Sequence, residues 1–581
     1  MNLHSDDEKT VGGPAGEDTD NATVMGDKET NPESISVDPA QGDDYGDEKG
    51  GRRDSREEFD VEAQEDNIEV ERIETRGTTT SRKTHRSILS RLSKSKSKPK
   101  ETLPPPVHPV MDLDNGVVGW ESQHDPEHPL NFAPARKWFI TSLLSGITFM
   151  TPFASSILAP AITFVADDFN ESSLTVASMP VSIFLLGYAV GPLFLSPLSE
   201  IYGRNIVIVS ANAFFCAWLI GCALAPSLGS LVFFRFMCGL GGSACQTIGG
   251  GIIADMFPVS ERGRAMTVWM LGPMFGPSCA PVIGGFVSET IGWRWTSWIT
   301  FIPAAVVVCA MVFLNRETNH HVLIRRKTER LRRELRRPEL RSCYVDPDAP
   351  VLARRRIILN GLTRPLRLLF GSPIVFAVSL YIAFAYGCLY LLFNTIPLVF
   401  QGSYGWSIGI TGLVYLSLLI GYMVGLAIFS SLSDKTVVRM TKANGGVYEP
   451  EMRLPDCIYF AFLLPVTFFW YGWAADRAVH WIVPVLGLIP FGLGIIGIWL
   501  PIQAYLIDAY AQYAASALAA FSVMRSVVAA FLPLAGPQMY DTLGVGWGNS
   551  LLGFIAIALI PIPAFIYKYG ARVRKREKIK F

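Results

Sequence analysis

Arg235 stands in Phe233-Phe234-Arg235-Phe236-Met237-Cys238-Gly239, and no other charge occurs between Arg204 and Asp255. A guanidinium inside a bilayer is costly and normally faces a partner or an aqueous cavity. Arg235 is therefore either a functional cation or a side chain snorkelling to the interface, since it lies only a turn or two into its run. Arg525, in Ser522-Val523-Met524-Arg525-Ser526, poses the same question outside any motif. A second group of charges sits where apolar runs end. In Ser196-Pro197-Leu198-Ser199-Glu200-Ile201-Tyr202-Gly203-Arg204, Gly203 permits a tight turn and Glu200 and Arg204 place opposite charges beside it. Asp255, Glu261, Arg262 and Arg264 stand at the same level between two later runs. Together they suit a charged latch over one mouth of a helix bundle. The alternative is an ordinary helix-end ion pair, worth about 0–1 kcal/mol when exposed.

Uncharged polar residues inside the runs are few. Gln246 and Gln503 are two, and Tyr386, Tyr390 and Asn394 share one run with Tyr381, Phe384 and Phe393. Such a set suits a broad, largely apolar cavity, with packing or lipid-facing positions the alternative for each. Asp255, Glu289 and Asp508 fall at the ends of runs, so no proton-accepting carboxylate is assigned. The chain has no Gly-x-x-x-x-Gly-Lys loop, no nucleophile elbow and no paired His/carboxylate metal site. The reading is of a non-enzyme, without cofactor or metal, in which ATP does not energise the work directly. The nine cysteines fall mostly within apolar runs and form no Cys-x-x-Cys pair, as expected of buried free thiols. The basic runs are better explained by a membrane than by nucleic acid.

The elements that must carry these residues are spanning helices. Half of the 581 residues are hydrophobic and 18% are charged. The charges crowd into 1–137, 315–367, 434–453 and 568–580, leaving apolar runs of about 20 residues, each long enough to cross a hydrocarbon core. Twelve spans are expected, near 138–160, 178–198, 205–225, 229–253, 265–288 and 295–314, then 373–395, 407–431, 456–475, 480–503, 515–537 and 547–568. The fold class is an all-α membrane protein. The ends after spans 2, 4, 6 and 8 carry Arg204, Arg262 and Arg264, the long basic loop, and Lys435, Arg439, Lys442 and Arg453, whereas the opposite loops carry at most Arg294 or Arg477. Basic loops stay in the cytoplasm, which places both termini there. Asn170-Glu171-Ser172 is then an outward-facing glycosylation sequon close to the membrane, and Asn21-Ala22-Thr23 an inward-facing one.

Residues 1–136 read as a disordered cytoplasmic tail: the first 50 residues hold 14 acids and three lysines. Arg82 to Lys100 is basic and rich in serine, suited to releasable contact with anionic lipid or simply to solvent. Residues 315–371 read as a cytoplasmic linker between six-helix halves at 137–314 and 372–568, with 569–581 a second tail. Within the linker, Arg325 to Arg337 has eight basic and two acidic residues, a basic helix either on the inner leaflet or in solvent.

The halves echo each other. Gly187, Gly191, Leu198, Ser199 and Glu200 recur as Gly421, Gly425, Leu432, Ser433 and Asp434, each 234 residues later. In span 5, Leu271 to Gly285 carries Gly272, Pro273, Gly276, Pro277, Pro281, Gly284 and Gly285, a density only tightly packed membrane helices tolerate. Gly276-Pro277 has a fainter partner in Gly536-Pro537. Two parallel six-span halves are the repeat of major facilitator transporters, with the substrate site between the halves.

At these residues the chain resembles the fungal twelve-span drug:proton antiporters of the major facilitator superfamily. Asp125-Pro126-Glu127-His128-Pro129-Leu130-Asn131-Phe132 is similar to that family's signature before span 1, with Phe132 where Trp is usual. Pro197 to Arg204 is similar to its loop 2–3 motif, with Asn205 in place of a basic residue. Arg235 to Gly242 resembles the span 4 motif, whose arginine the family associates with proton transfer, and Leu271 to Gly285 the antiporter motif of span 5. Trp293-Arg294-Trp295, Arg316-Glu317-Thr318 and Arg364-Pro365-Leu366-Arg367 fit as well, while Asn319-His320-His321 departs from the usual aromatic segment. The resemblance implies export of varied hydrophobic compounds, drugs or toxins, across the plasma membrane in exchange for protons, with the vacuolar membrane as the alternative. Arg235 would support proton transfer, and Glu200, Gly203, Arg204, Asp255, Arg262 and Arg264 would gate the cytoplasmic side. Gln246, Tyr386, Tyr390, Asn394 and Gln503 would line the cavity. The rival readings are an uptake carrier for a small metabolite and a non-transporting membrane sensor.

Overall fold

The computed structural model describes residues 108–345, 354–510 and 513–576. The acidic tail, the Arg82–Lys100 segment and the Asn21 sequon lie outside the described residues, as does the extreme C-terminus. Eleven helical stretches are long and apolar enough to cross a membrane. Spans 1 to 6 are Pro134–Asp168, Met179–Tyr202, Arg204–Ala223, Leu228–Met256, Val259–Thr290 and Arg294–Leu314. Spans 7 to 10 are Pro373–Tyr404, Ile408–Ala443, Pro450–Asp476 and Ile482–Ala509. The last stretch, Ser516–Arg576, has 61 residues, and as one helix it would be roughly 90 Å long, about three times a hydrocarbon core. It breaks at Gly544, whose φ of 74° ends one helix and starts the next, so it supplies spans 11 and 12. Outward faces are apolar: Ile302, Val306 and Phe313 of span 6 are exposed, as lipid-facing side chains must be.

Small residues set the helix spacing, and they do so twice. A Cβ on Gly187 would overlap the backbone of Phe236, and one on Gly191 would lie 2.7 Å from the Leu240 carbonyl oxygen, so span 2 lies directly on span 4. In the second half, Gly421 meets the Ile489 carbonyl in the same way, and a Cβ on Gly425 would lie 3.0 Å from the Leu493 carbonyl oxygen, so span 8 lies on span 10. The 234-residue echo is thus a repeated contact. In span 5, Cβ atoms on Gly272 and Gly276 would lie 2.9 Å from the Phe149 nitrogen and 2.6 Å from the Phe149 oxygen, and Gly284 abuts the Ile157 carbonyl, all on span 1. Gly285 abuts the Ile408 carbonyl at the start of span 8, at 2.8 Å. Span 5 is therefore sandwiched between span 1 of its own half and span 8 of the other. Gly536 repeats the span 5 contact in outline, facing Thr395 of span 7 at 2.8 Å.

Two expectations change at the linker end. Residues 108–136, expected within a disordered tail, are folded. Val117–Val118 (β1) pairs in parallel with Arg341–Ser342 (β2), and Trp120 is buried, donating its indole N–H to the Tyr344 hydroxyl at 3.1 Å. The signal was hidden because a few apolar residues (Val118, Trp120, Ile324, Leu340) suffice when a partner 200 residues away completes their core. The linker carries two helices, His320–Glu334 (α1) and Arg354–Gly371 (α2). The basic helix α1 starts earlier than Arg325 and stops at Glu334, and it docks on protein. Arg325 and Arg326 donate to the carbonyls of Ile201 and Tyr202 at the C-terminus of span 2, where cations satisfy the free carbonyls and the helix dipole. Lys327 pairs with Glu121 at 3.2 Å.

Three histidines join the 108–132 segment to α1. The rings of His108 and His128 stack at 3.7 Å, and those of His128 and His320 at 4.7 Å. The His128 Nδ1 accepts the Leu130 N–H, which fixes the neutral ring in place. Burial, reinforced by the neighbouring histidines, pushes His128 down to about 3 and His320 down to about 4. The unfolded rings would take protons near 6.5. Stability from this contact is therefore full above about pH 6.5 and lost as pH falls towards 4. Hydrogen exchange of residues 108–132, corrected for intrinsic rates, should show protection at pH 7.5 that is largely gone at pH 5; equal protection at both would contradict the assignment. At the span 1–span 5 contact, Gly276→Leu should force the helices apart and cost at least about 1–3 kcal/mol, read as a lower thermal midpoint in detergent. Gly263→Ala, within the helix and with open space around its Cβ, should not lower the midpoint and should raise it if anything.

Candidate functional site

The span 2–3 turn converges on Glu317, a carboxylate of the Arg316-Glu317-Thr318 segment to which the sequence assigned no part in the latch. Glu317, just after span 6, accepts the backbone N–H groups of Arg204 at 2.7 Å and Asn205 at 3.3 Å, and those of Thr318 and Asn319 at 3.1 and 3.0 Å. The first two are free donors at the N-terminus of span 3, where an anion is favoured. Gly203 has φ of 111°, and a Cβ there would overlap the Glu317 carboxylate, so glycine is needed for both the turn and its partner. The Arg204 side chain pairs with Asp255 at 3.5 Å and donates to the Ser199 hydroxyl at 2.8 Å. Arg262 donates to the Ala254 carbonyl at 3.0 Å, and Arg264 lies 5.4 Å over the Trp138 ring. Glu200 is exposed and makes no ion pair among the described residues. The second half has a counterpart: Asp508, at the end of span 10, pairs with Arg453 at 2.6 Å, and Glu451 with Arg574 at 3.3 Å. Each network ties together helices of one half.

Arg235 does not snorkel. It is 2% exposed, and its guanidinium is spent on three carbonyls: Pro180 from Nε at 3.0 Å, Ala154 from Nη1 at 2.7 Å and Ser155 from Nη2 at 3.0 Å. Its plane lies 4.8 Å over the Phe184 ring. It thereby clasps spans 1, 2 and 4 and uses the carbonyls freed where the first helix of span 1 ends. The helix ends at Ser156, so the carbonyls of its last turn are left open as acceptors. Ser155, whose carbonyl Arg235 holds, shares a hydrogen bond of 2.7 Å between its hydroxyl and that of Tyr390 in span 7. Arg235 is thus one residue removed from a contact between the halves.

The centre of the seam is built around Arg525. This side chain of span 11 is 3% exposed and is packed by aromatic rings, Tyr386 at 4.5 Å, Trp499 at 4.7 Å and Phe521 at 5.8 Å. Its Nη2 donates to Gln246 Oε1 of span 4 at 3.3 Å, across the seam, and to Ser522 at 3.4 Å. Tyr386, Tyr390 and Asn394 recur at every fourth residue of span 7 and so line one stripe. Tyr386 and Tyr390 pack edge to face at 5.2 Å. Asn394 is buried with neither amide atom paired, and Gln503 Oε1 is likewise buried and unpaired. Of the candidate cavity residues, the structure joins Gln246 and Tyr386 through Arg525 and ties Tyr390 to the first half; it shows no bond between these and Asn394 or Gln503. The signal for Arg525 was its charge within an apolar run; its partners lie on three other spans and could not be read locally. Among the described residues no cluster could hold a metal ion. At the far end, Asn170 is exposed in a turn with φ of 53°, and Glu289 accepts the Gly409 N–H at 2.7 Å and the Ser407 hydroxyl at 3.1 Å, linking spans 5 and 8.

A family model described as Major Facilitator Superfamily matches residues 144–533. The "MFS transporter cpaT" of Aspergillus oryzae is 46% identical over 79% of this chain and 92% of that protein. The "Efflux pump radE" of Floropilus chiversii is 43% identical over 81% of this chain and 87% of its own length. Among solved structures, the xylose transporter XylE from E. coli, in a partially occluded inward-open conformation, superposes with a TM-score of 0.56 at 17% identity, covering 75% of this chain and 98% of that one. The likeness to XylE concerns the fold alone.

Glu317→Gln keeps the shape of the span 3 cap and removes its charge. It should cost about 1–3 kcal/mol, the worth of hydrogen bonds to a charged acceptor, and Gly203→Ala should cost more. Thermal unfolding of both variants in detergent checks this; two unchanged midpoints would dismiss Glu317 as the organising group.

Proposed function

The chain belongs to the Major Facilitator Superfamily, a family of membrane transporters, and from that premise we propose that it exports hydrophobic small molecules, drugs, toxins or secondary metabolites, in exchange for protons by alternating access. The observation that carries the reading is the Gln246–Arg525–Tyr386 assembly, a polar and aromatic site completed only when both halves contribute. Substrate sites of this fold lie at that seam, near mid-membrane. Export as the direction is supported by relatives such as the "Efflux pump radE" and by the glycine-rich face of span 5, which fits span 1 without gaps. Such a fit serves an exporter by denying ions a path between the helices.

In this reading the linker end faces the cytoplasm, both termini lie there, and the membrane is the plasma membrane, with Asn170 outside and open to glycosylation. The halves of the transporter are 137–314 and 372–568. The Glu317, Arg204 and Asp255 network keeps the inner end of the first half rigid while the halves rock. Arg235 contributes to proton coupling by position: it holds Ser155, whose hydroxyl meets Tyr390 across the seam, so a displacement of Arg235 is passed to the contact between the halves.

Cells expressing the protein should accumulate less of some members of a panel of fluorescent hydrophobic compounds than cells without it, and collapse of the proton gradient should erase the difference. Accumulation that rises on expression would reverse the direction, and export indifferent to the gradient would remove the proton. Arg235→Met should lose gradient-driven export by about tenfold or more while the protein still reaches the membrane.

A further inference from the structure

Two arginines are buried at comparable depth in the bundle, and the structure treats them differently. Arg235 spends Nε, Nη1 and Nη2 on carbonyl oxygens between 2.7 and 3.0 Å away. Arg525 has only Nη2 engaged, through two long contacts of 3.3 and 3.4 Å to uncharged groups, while its Nε and Nη1 are buried without a partner. Among the described residues no carboxylate pairs with it. A guanidinium stays charged whatever its surroundings and presents its N–H groups in a flat fork that matches a carboxylate. Buried polar groups are as a rule satisfied, and an exception calls for an explanation.

The surroundings supply one. Tyr386, Trp499 and Phe521 place their ring faces against the guanidinium, the geometry of cation–π packing, and none of them accepts a hydrogen bond from Nε or Nη1, which are left without a partner. Those rings fix the position of the charge without neutralising it. They also offer flat apolar surface beside it. Gln246, its hydrogen-bond partner from the opposite half, is neutral; an acid in its place would have completed an internal ion pair and consumed the fork.

We infer that Arg525 is the anchor for an anionic group on the transported molecule, and that the cargo class is apolar organic acids whose carboxylate takes the free N–H groups of Arg525 while the carbon skeleton lies against Tyr386 and Trp499. The inference rests on the proposed transport between the halves and adds the chemistry of the cargo. Neutral hydrophobic compounds would bind on the rings alone and more weakly. Binding of the anion leaves the buried charge neutralised, so the loaded seam closes more readily than the empty one.

The test uses the full-length protein in zwitterionic lipid nanodiscs and a panel of apolar alkyl and aryl carboxylic acids, each paired with its methyl ester, 1-pyrenebutyrate and methyl 1-pyrenebutyrate among them. Energy transfer from tryptophan reports binding of the pyrene pair, and equilibrium dialysis reports the rest. Several acids should bind about tenfold or more tightly than their esters at pH 7.5, because the ester leaves the buried donors unpaired. Arg525→Gln and Gln246→Glu should each bring that ratio close to one. The second variant keeps the buried charge and pairs it internally, so it remains informative if the first fails to fold. No acid preferred over its ester by the wild type, or a preference retained in Gln246→Glu, overturns the inference. Displacement of the bound acids by millimolar chloride, as effective as displacement by another acid of the panel, overturns it also, since the site would then hold an inorganic anion. Loss of the acid preference with gradient-driven export of neutral compounds intact removes this inference and leaves the export reading. A clear acid preference in a protein that exports nothing does the reverse.

Discussion

A charge that cannot be discharged is the constraint that organises this bundle. Arginine keeps its proton at any cellular pH, so burying it inside a membrane obliges the protein to supply acceptors or leave the charge for something else to meet. An uncompensated buried ion costs on the order of 3–5 kcal/mol, a large share of a typical domain's stability. The first half meets the demand in full. The break in span 1 after Ser156 frees the Ala154 and Ser155 carbonyls, and Arg235 gathers these together with the Pro180 carbonyl of span 2, so a helix irregularity and a buried cation satisfy each other. The second half leaves Arg525 short of acceptors and surrounds it with rings. One half thus carries a completed clasp in span 4 and the other an incompletely paired cation in span 11.

The rest of the packing serves to keep these two sites in register. Glycine contacts set the distance between spans 2 and 4 and, in the repeat, between spans 8 and 10, backbone against backbone. Such contacts tolerate no side chain and little sliding. The ion pairs at the linker end likewise join members of one half, Arg204 with Asp255 and Arg453 with Asp508. Across the seam, span 2 packs on span 11 and span 5 on span 8, and hydrogen bonds join Ser155 with Tyr390, Arg525 with Gln246, and Glu289 with Gly409. Span 5 is glycine-lined against span 1 on one side and against the start of span 8 on the other.

Hydropathy, basic loops and the 234-residue echo are local or periodic signals, and they made the spans, the family likeness and the doubled helix contact readable from the chain. The glycine-rich stretch of span 5 was readable as a packing face, although only the structure shows that Phe149 and Ile157 are what it packs against. What escaped were pairings over long separations. Gly203 was legible as a turn residue, but its need for space comes from Glu317, more than a hundred residues on. Glu200 looked like the acid of the latch because it is near Arg204 in sequence, whereas Asp255 and Glu317 hold that position in space. The 108–132 segment has a composition close to that of a disordered tail, and its order depends on α1 and β2 of the linker. Arg525 was visible as an anomaly; its aromatic setting was not.

The distribution of strong and weak contacts has a consequence for movement. In the proposed cycle the halves rock about the seam, and the cost of each step is the set of contacts exchanged there. The Gly187 and Gly421 contacts and the end-of-helix ion pairs stay intact because they lie within halves. At the seam, hydrogen bonds each worth about 0.5–1.5 kcal/mol net break and reform, and the packing of span 2 on span 11 and of span 5 on span 8 is exchanged with them. A seam of that kind is close to balance when empty, and a small bias decides it. Arg525 provides the bias: unpaired, it resists enclosure in a dry interface, and paired, it permits it. The same buried charge that weakens the empty protein therefore couples closure to the presence of cargo. A transporter needs this coupling, because a seam that closed equally well without cargo would let the driving gradient run down for nothing.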